Sequence, residues 1–177
     1  DLIIAHKLEP NLYNFNILKA FLALAKTQSL VNYPIHIKFN TGLNRIGFWH
    51  NDVPKISTIL KATTHLKVAS IFSHLAASED LSEKEFTTKQ VRDFTDIVKQ
   101  FSAQLTYKPI IHLVNTSGII NYPQGQFDMV RLGIGLYGFG NDKKETEALK
   151  NVIRLKSIIS QIHYVEPGES VGYNRAF

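Results

Sequence analysis

The sequence predicts an α/β fold in which short buried strands alternate with amphipathic helices around a parallel sheet. Apolar runs at Leu2–Ala5 and at residues 35–39, 68–72, 110–114 and 130–136 are each too short for a free-standing helix and read as strands. Their starts lie 20 to 42 residues apart, the room a βαβ unit needs. A doubly wound sheet and a closed barrel both satisfy that spacing.

The helices follow in order. Phe15, Leu18, Phe21, Leu22 and Ala25 share one face of the first, and Ile56, Ile59 and Leu60 one face of the second, which has Pro54 near its start. In the third, Ser82 and Glu85 have the spacing of a capping box, and Phe86, Phe94, Ile97, Val98 and Phe101 form its stripe. After residue 150 the character changes. Residues 155–165 read as one long strand before a Pro167-Gly168 turn, so the expected domains are 1–150, a partial barrel or doubly wound unit, and 151–177, the beginning of a β domain.

Composition narrows the function. Lys plus Arg total 20 against 15 Asp plus Glu, net +5, but the cations are scattered, so no nucleic-acid face is expected. The chain has no Cys, which removes disulfides and thiolate metal sites and suits a cytoplasmic protein. No apolar run approaches the roughly 20 residues of a bilayer crossing, so no membrane partner is expected. The chain begins without Met and stops within a motif, and it is expected to be the central piece of a longer protein.

Four segments carry chemistry. The strand at residues 35–39 breaks into a polar loop with Lys38, Asn40, Thr41, Gly42, Arg45 and Gly47, the kind of loop that builds sites at strand carboxyl ends. On composition alone, Lys38 and Arg45 would more often be solvated surface cations. The next strand ends in Ser73, His74, Leu75 and Ala76, with Asp80 beyond; adjacent strand residues point oppositely, so Ser73 and His74 do not form a dyad. Asn115, Thr116, Ser117 and Gly118 would ordinarily be a self-bonded turn. Between Arg131 and Gly138, Gly133, Gly135 and Gly138 match a dinucleotide fingerprint, but the run closes a series of strand-helix units and Ile153 stands where an acid is needed. Its exposed amides can still cradle a phosphate.

Taken in order, these segments resemble the alanine racemase family. There a lysine, an apolar residue, an aspartate, Thr-Gly and an arginine recur, and here Lys38 and Arg45 match while Asn40 replaces the aspartate and Leu43 a methionine. His74, Leu75 and Ala76 resemble its histidine motif, and Asn115 with Thr116 its phosphate-site hydroxyl segment. Arg131, Gly133 and Ile134 resemble its arginine-proline-glycine motif, with Leu132 for proline. Leu8-Glu9-Pro10 resembles the acidic start of one of its helices. Gly172 and Tyr173 resemble the catalytic tyrosine of its second domain.

The resemblance implies a fold type III (β/α)8 barrel, represented by about its last five strands, running into the first strand of a β domain. It implies pyridoxal 5'-phosphate as cofactor, held by Asn115, Thr116, Gly133 and Ile134, with Arg131 facing the pyridine nitrogen. Arg45, supported by a carbamylated Lys38, would orient the substrate carboxylate. Tyr173, helped by His74 and Arg131, would be one of two bases, serving the neighbouring subunit of a homodimer that supplies D-alanine for peptidoglycan. The family's other base is a cofactor-anchoring lysine in an early-strand motif that nothing before Lys38 resembles, so this polypeptide alone is expected to be inactive. Alternatives are a racemase of another amino acid and a non-catalytic pyridoxal-phosphate-binding barrel of cofactor homeostasis.

Overall fold

The computed structural model describes residues 2–175. Four strands, β1 (Asn11–Leu12), β2 (Tyr33–Lys38), β3 (Leu66–Phe72) and β4 (Ile110–His112), pair in sequence order and are all parallel. Parallel neighbours require crossovers, and α2 (Phe15–Thr27), α3 (Val53–Lys61) and α4 (Lys84–Ser102) supply them. A short α1 (Leu2–Ala5) precedes the sheet, and α5 (Thr116–Asn121) and α6 (Lys143–Glu147) follow it.

Each crossover helix buries the stripe its sequence spells. Asn14 caps α2 by accepting the Ile17 amide at 2.9 Å, and Leu18, Phe21 and Ala25 turn inward. Pro54 sits in the first turn of α3, where its missing N–H costs nothing, and Val53, Ile56 and Leu60 are buried. In α4 the buried residues include Val91, Phe94, Ile97 and Phe101. These stripes join Ile35, Ile37, Phe39, Val68, Ile71 and Ile111 in one apolar cluster. The opposite face of the sheet carries His36, Lys38, Ser70, Phe72 and His112. Helices on one face and polar side chains on the other make this sheet an arc of a barrel rather than a sandwiched layer.

Within β3 the register slips by one residue, pairing Ile35 with Val68 but His36 with Ser70. Before the slip Leu66 and Val68 enter the apolar cluster; after it Ile71 and Leu75 do. The bulge therefore turns Ser70, Phe72 and His74 toward the barrel interior.

Several expectations are corrected. Leu2–Ala5 is a helical turn, closed by His6 donating to the Leu2 carbonyl at 3.0 Å, because four apolar residues do not distinguish the two periods. Residues 130–136 are not a fifth strand. A single bridge pairs Met129 with His112 and the Arg131 amide reaches the Val114 carbonyl at 3.1 Å, before the glycines turn the chain away. Residues 155–165 form no strand, since no second segment among the described residues pairs with them; Leu155 and Tyr164 are 98% and 100% exposed. Ser82 and Glu85 form no capping box at α4; Asp80 instead caps the 3-10 turn Leu81–Glu83 that leads into it. The Asp80 carboxylate takes both the amide (2.9 Å) and the hydroxyl (2.6 Å) of Ser82, which hold its pKa below the usual carboxylate range. Phe86, expected on the α4 stripe, is exposed.

Candidate active site

The site is assembled at the carboxyl ends of β2, β3 and β4 and the loops that follow, where a barrel presents its functional groups. Arg131 is its centre. The guanidinium donates to His112 Nδ1, to His74 Nδ1 at 3.1 Å, and to the carbonyls of Ser73 and Leu113 at 2.7 and 2.9 Å. It also lies over the Phe72 ring, 5.3 Å from its centroid, and that ring stacks on His112 at 4.8 Å. Burial lowers its pKa from the ordinary arginine value.

Both imidazoles are held neutral. His74 is pushed down to about 4, first by burial and then by the charges of Arg131, Arg45 and Lys38, with Glu79 opposing weakly. His112 is also brought to about 4, by burial, Arg131 and then His36. Lys38 is buried with its ammonium 5.9 Å from the Phe72 centroid; burial, Arg45 and Arg131 lower its pKa in that order. No carboxylate pairs with Lys38, Arg45 or Arg131 among the described residues. Three cations converge without a counter-anion.

The loop after β2 is fixed by its own side chains. Asn40 Oδ1 accepts the amides of Gly42 (3.2 Å) and Asn44 (3.0 Å), as an aspartate would, and its Nδ2 adds a bond to Asn44 Oδ1 at 2.8 Å that a carboxylate could not donate. Gly47 has φ +137°, and a Cβ there would come within 2.6 Å of the Phe39 and Asn40 backbone. That close approach lets Phe48 donate to the Lys38 carbonyl and accept from the Asn40 amide, both at 2.8 Å. The loop so closed carries Arg45, which is exposed.

On the other side, Thr116 Oγ1 accepts the amides of Gly133 (3.0 Å) and Gly135 (3.2 Å), drawing the glycine-rich turn against the start of α5. A Cβ on Gly135 would lie 2.6 Å from Thr116 Cγ2, so the approach requires glycine. Ile134 opens the 3-10 turn Ile134–Tyr137, whose leading amides are free of internal partners by geometry. Asn115 caps α5 through the Gly118 amide at 3.0 Å and accepts the Ser78 hydroxyl at 2.8 Å. Converging amides, a hydroxyl and unbalanced cations are the donor set a phosphate- and carboxylate-bearing group requires.

The structure thus brings together Lys38, Arg45, His74 and Arg131, and groups Asn115, Thr116, Gly133 and Ile134 nearby. Tyr173 is 98% exposed in the turn Tyr173–Arg175 and is not brought to them. Sequence reasoning assigned no role to His36, Ser70 and His112, although polar residues inside buried apolar strands were the available signal.

An arc of parallel strand-helix units with cations and imidazoles gathered at its strand ends defines the chain as part of an α/β barrel. Residues 1–140 match the family model described as alanine racemase, N-terminal domain, and the chain belongs to that family. It is 38% identical over 165 residues to the alanine racemase of Fusobacterium nucleatum, covering 89% of this chain and 45% of that protein. An alanine racemase structure from Clostridium difficile 630 superposes with a TM-score of 0.82 at 27% identity, covering 99% of this chain and 46% of that one. The Bartonella henselae alanine racemase with covalently bound pyridoxal phosphate has a TM-score of 0.66 over 77% of this chain and 38% of its own; at 24% identity the likeness concerns the fold. The chain spans under half the length of the relatives it matches.

Proposed function

We propose that this chain forms part of a pyridoxal-phosphate-dependent alanine racemase. The observation that carries this reading is the convergence of Lys38, Arg45 and Arg131, without a carboxylate partner, around two neutral imidazoles. An anionic cofactor and an amino-acid carboxylate supply the missing negative charge.

The donor set fits pyridoxal phosphate. The Thr116 hydroxyl and the Ile134 amide would hold its phosphate, with Gly133 drawing the turn onto Thr116 and Asn115 fixing the start of α5 beside them. Arg131 is a donor-only side chain and would keep the pyridine nitrogen unprotonated. When bound, the group acidifies the amino acid's Cα–H by accepting its electron pair into the ring, and an unprotonated nitrogen limits that delocalisation, which favours racemisation over transamination. Arg45 would orient the alanine carboxylate through a planar two-point contact. Burial and the neighbouring Arg45 and Arg131 lower the pKa of Lys38; its amine would react with carbon dioxide, releasing a proton, and the resulting carbamate anion would steady Arg45. Because His74 Nδ1 accepts from Arg131, its proton resides on Nε2, ready to donate to a phenolate; Tyr173 of a neighbouring subunit would be that phenol and one of two bases.

The same reading makes residues 1–150 barrel and 151–177 the start of a β domain, an assignment supported by the exposed apolar side chains of Leu155, Ile158 and Ile162. It makes the enzyme a cytoplasmic homodimer supplying D-alanine for peptidoglycan, and the present polypeptide alone inactive. The test is the visible absorbance of the full-length protein with pyridoxal phosphate, before and after borohydride, alongside D-alanine formation from L-alanine. A band near about 420 nm that borohydride fixes, with D-alanine produced, is expected. A colourless protein, or a coloured one unable to racemise, overturns the reading in favour of a binding barrel.

A further inference from the structure

Three polar side chains that the site does not otherwise use, Ser70, His36 and Glu9, extend a path from His112 across the inner face of the sheet. His112 Nε2 lies 3.0 Å from Ser70 Oγ, Ser70 Oγ lies 2.6 Å from His36 Nδ1, and His36 Nε2 lies 2.9 Å from a Glu9 carboxylate oxygen. We propose that Glu9, His36 and Ser70 are positioning residues for Arg131, acting through a one-way chain of hydrogen bonds that fixes which nitrogen of His112 carries the proton.

The direction follows from donor arithmetic. An arginine has five N–H donors and no acceptor, so where Arg131 meets His112 Nδ1 the imidazole must accept. The proton of neutral His112 then sits on Nε2 and is donated to Ser70. Having accepted on one side, the Ser70 hydroxyl gives its single proton to His36 Nδ1. His36 in turn presents Nε2–H to Glu9. With His36 neutral, reversal at the Ser70 step would make His112 Nε2 the acceptor and leave Arg131 facing an N–H. Ser70 is 1% exposed, so water does not substitute for either of its partners. The bulge in β3 is what sets Ser70 opposite His36.

Each bond polarises the next, and the chain runs from a buried cation to a half-exposed carboxylate across β4, β3 and β2. The effect at the site is to hold the Arg131 fork in one orientation, with its imidazole partner always an acceptor. This deepens the racemase reading, on which the role of Arg131 against a cofactor rests, but the proton positions do not depend on it.

The experiment is long-range 15N–1H correlation on the full-length protein labelled with 15N-histidine, its signals assigned through His36→Gln and His112→Gln, with alanine turnover measured on the same samples. His36 and His112 are expected each as a single tautomer protonated at Nε2. Ser70→Ala should leave His112 a mixture of tautomers and lower turnover about fivefold; Ser70→Thr, which keeps the hydroxyl, should restore both. Glu9→Ala should shift the Nε2 resonances of His36 and, through Ser70, of His112. A proton on Nδ1 of either histidine, or Ser70→Ala leaving the His112 signals unchanged, overturns the proposal. If the tautomers are as stated and no racemisation is found, the chain stands and the racemase reading falls. Racemisation by a protein with the opposite tautomers has the reverse meaning.

Discussion

Replacing Arg131 by Met removes four side-chain hydrogen bonds and one charge while keeping an unbranched apolar stem over Phe72. Two imidazole nitrogens and two backbone carbonyls just past the strand ends lose their donor, at about 1 kcal/mol each. Relief of burying a guanidinium offsets part of that, leaving a net loss of about 2–3 kcal/mol near neutrality. The pH dependence moves the other way. In the folded chain His74 and His112 have pKa values of about 4, below the unfolded value of 6.5. Their neutral forms therefore contribute stability that is complete above 6.5 and is lost as the pH falls toward 4, because the unfolded chain takes up protons first. Both rings are partly solvated, so the pair contributes about 1 kcal/mol per pH unit in that window. Without Arg131 the second-largest cause of lowering at each histidine is gone while burial remains, so both values rise part of the way and the acid window shrinks. Urea unfolding of the full-length protein at several pH values measures this directly. Arg131→Met should be less stable near neutrality yet lose less stability on acidification than the unsubstituted protein. A neutral-pH loss under about 0.5 kcal/mol, or a steeper acid slope in the variant, would refute the reasoning.

Two further substitutions test the loops. Gly47→Ala should cost about 2 kcal/mol or more and weaken alanine KM, since its Cβ meets backbone at 2.6 Å, whereas Gly42→Ala should cost less because the nearest atom there is the tip of the Phe86 ring at 2.9 Å; thermal melts rank the two. Thr116→Val keeps the shape but removes the acceptor for the Gly133 and Gly135 amides, and should weaken pyridoxal phosphate binding about tenfold in an absorbance titration, with Thr116→Ser near normal.

The parallel α/β class and the three crossover helices were legible because their stripes are long enough to fix a 3.6-residue period, as in Phe94, Ile97 and Phe101. The two-residue β1 had no such length to announce itself. Leu2–Ala5 and residues 155–165 show the limits of apolar runs: four residues suit either period, and an extended segment becomes a strand only beside another. The site was legible through its charged and glycine residues, which stand out in motifs. Ser70 and His36 did not, since their role exists only across strands, between residues 34 positions apart. Asn40 lay between these cases: its departure from the usual aspartate was visible, but that the amide keeps both acceptor bonds and adds a donor emerged from the loop geometry.

The one-residue slip at Ala69 has a consequence for how this barrel tolerates change in length. Ahead of it, even-numbered residues of β3 face the helices; past it, odd-numbered ones do. Excising Ala69 would join Val68 directly to Ser70 and leave an unbroken ladder, Ile35 opposite Val68 and His36 opposite Ser70, so Ser70 would stay on the ligand side and Ile71 in the oily layer under the helices. A single-codon deletion elsewhere in the strand would put at least one side chain on the wrong face, while the same deletion in the exposed turn after α2 would alter only a tether. Homologues one residue shorter within this strand should therefore lack the residue at position 69.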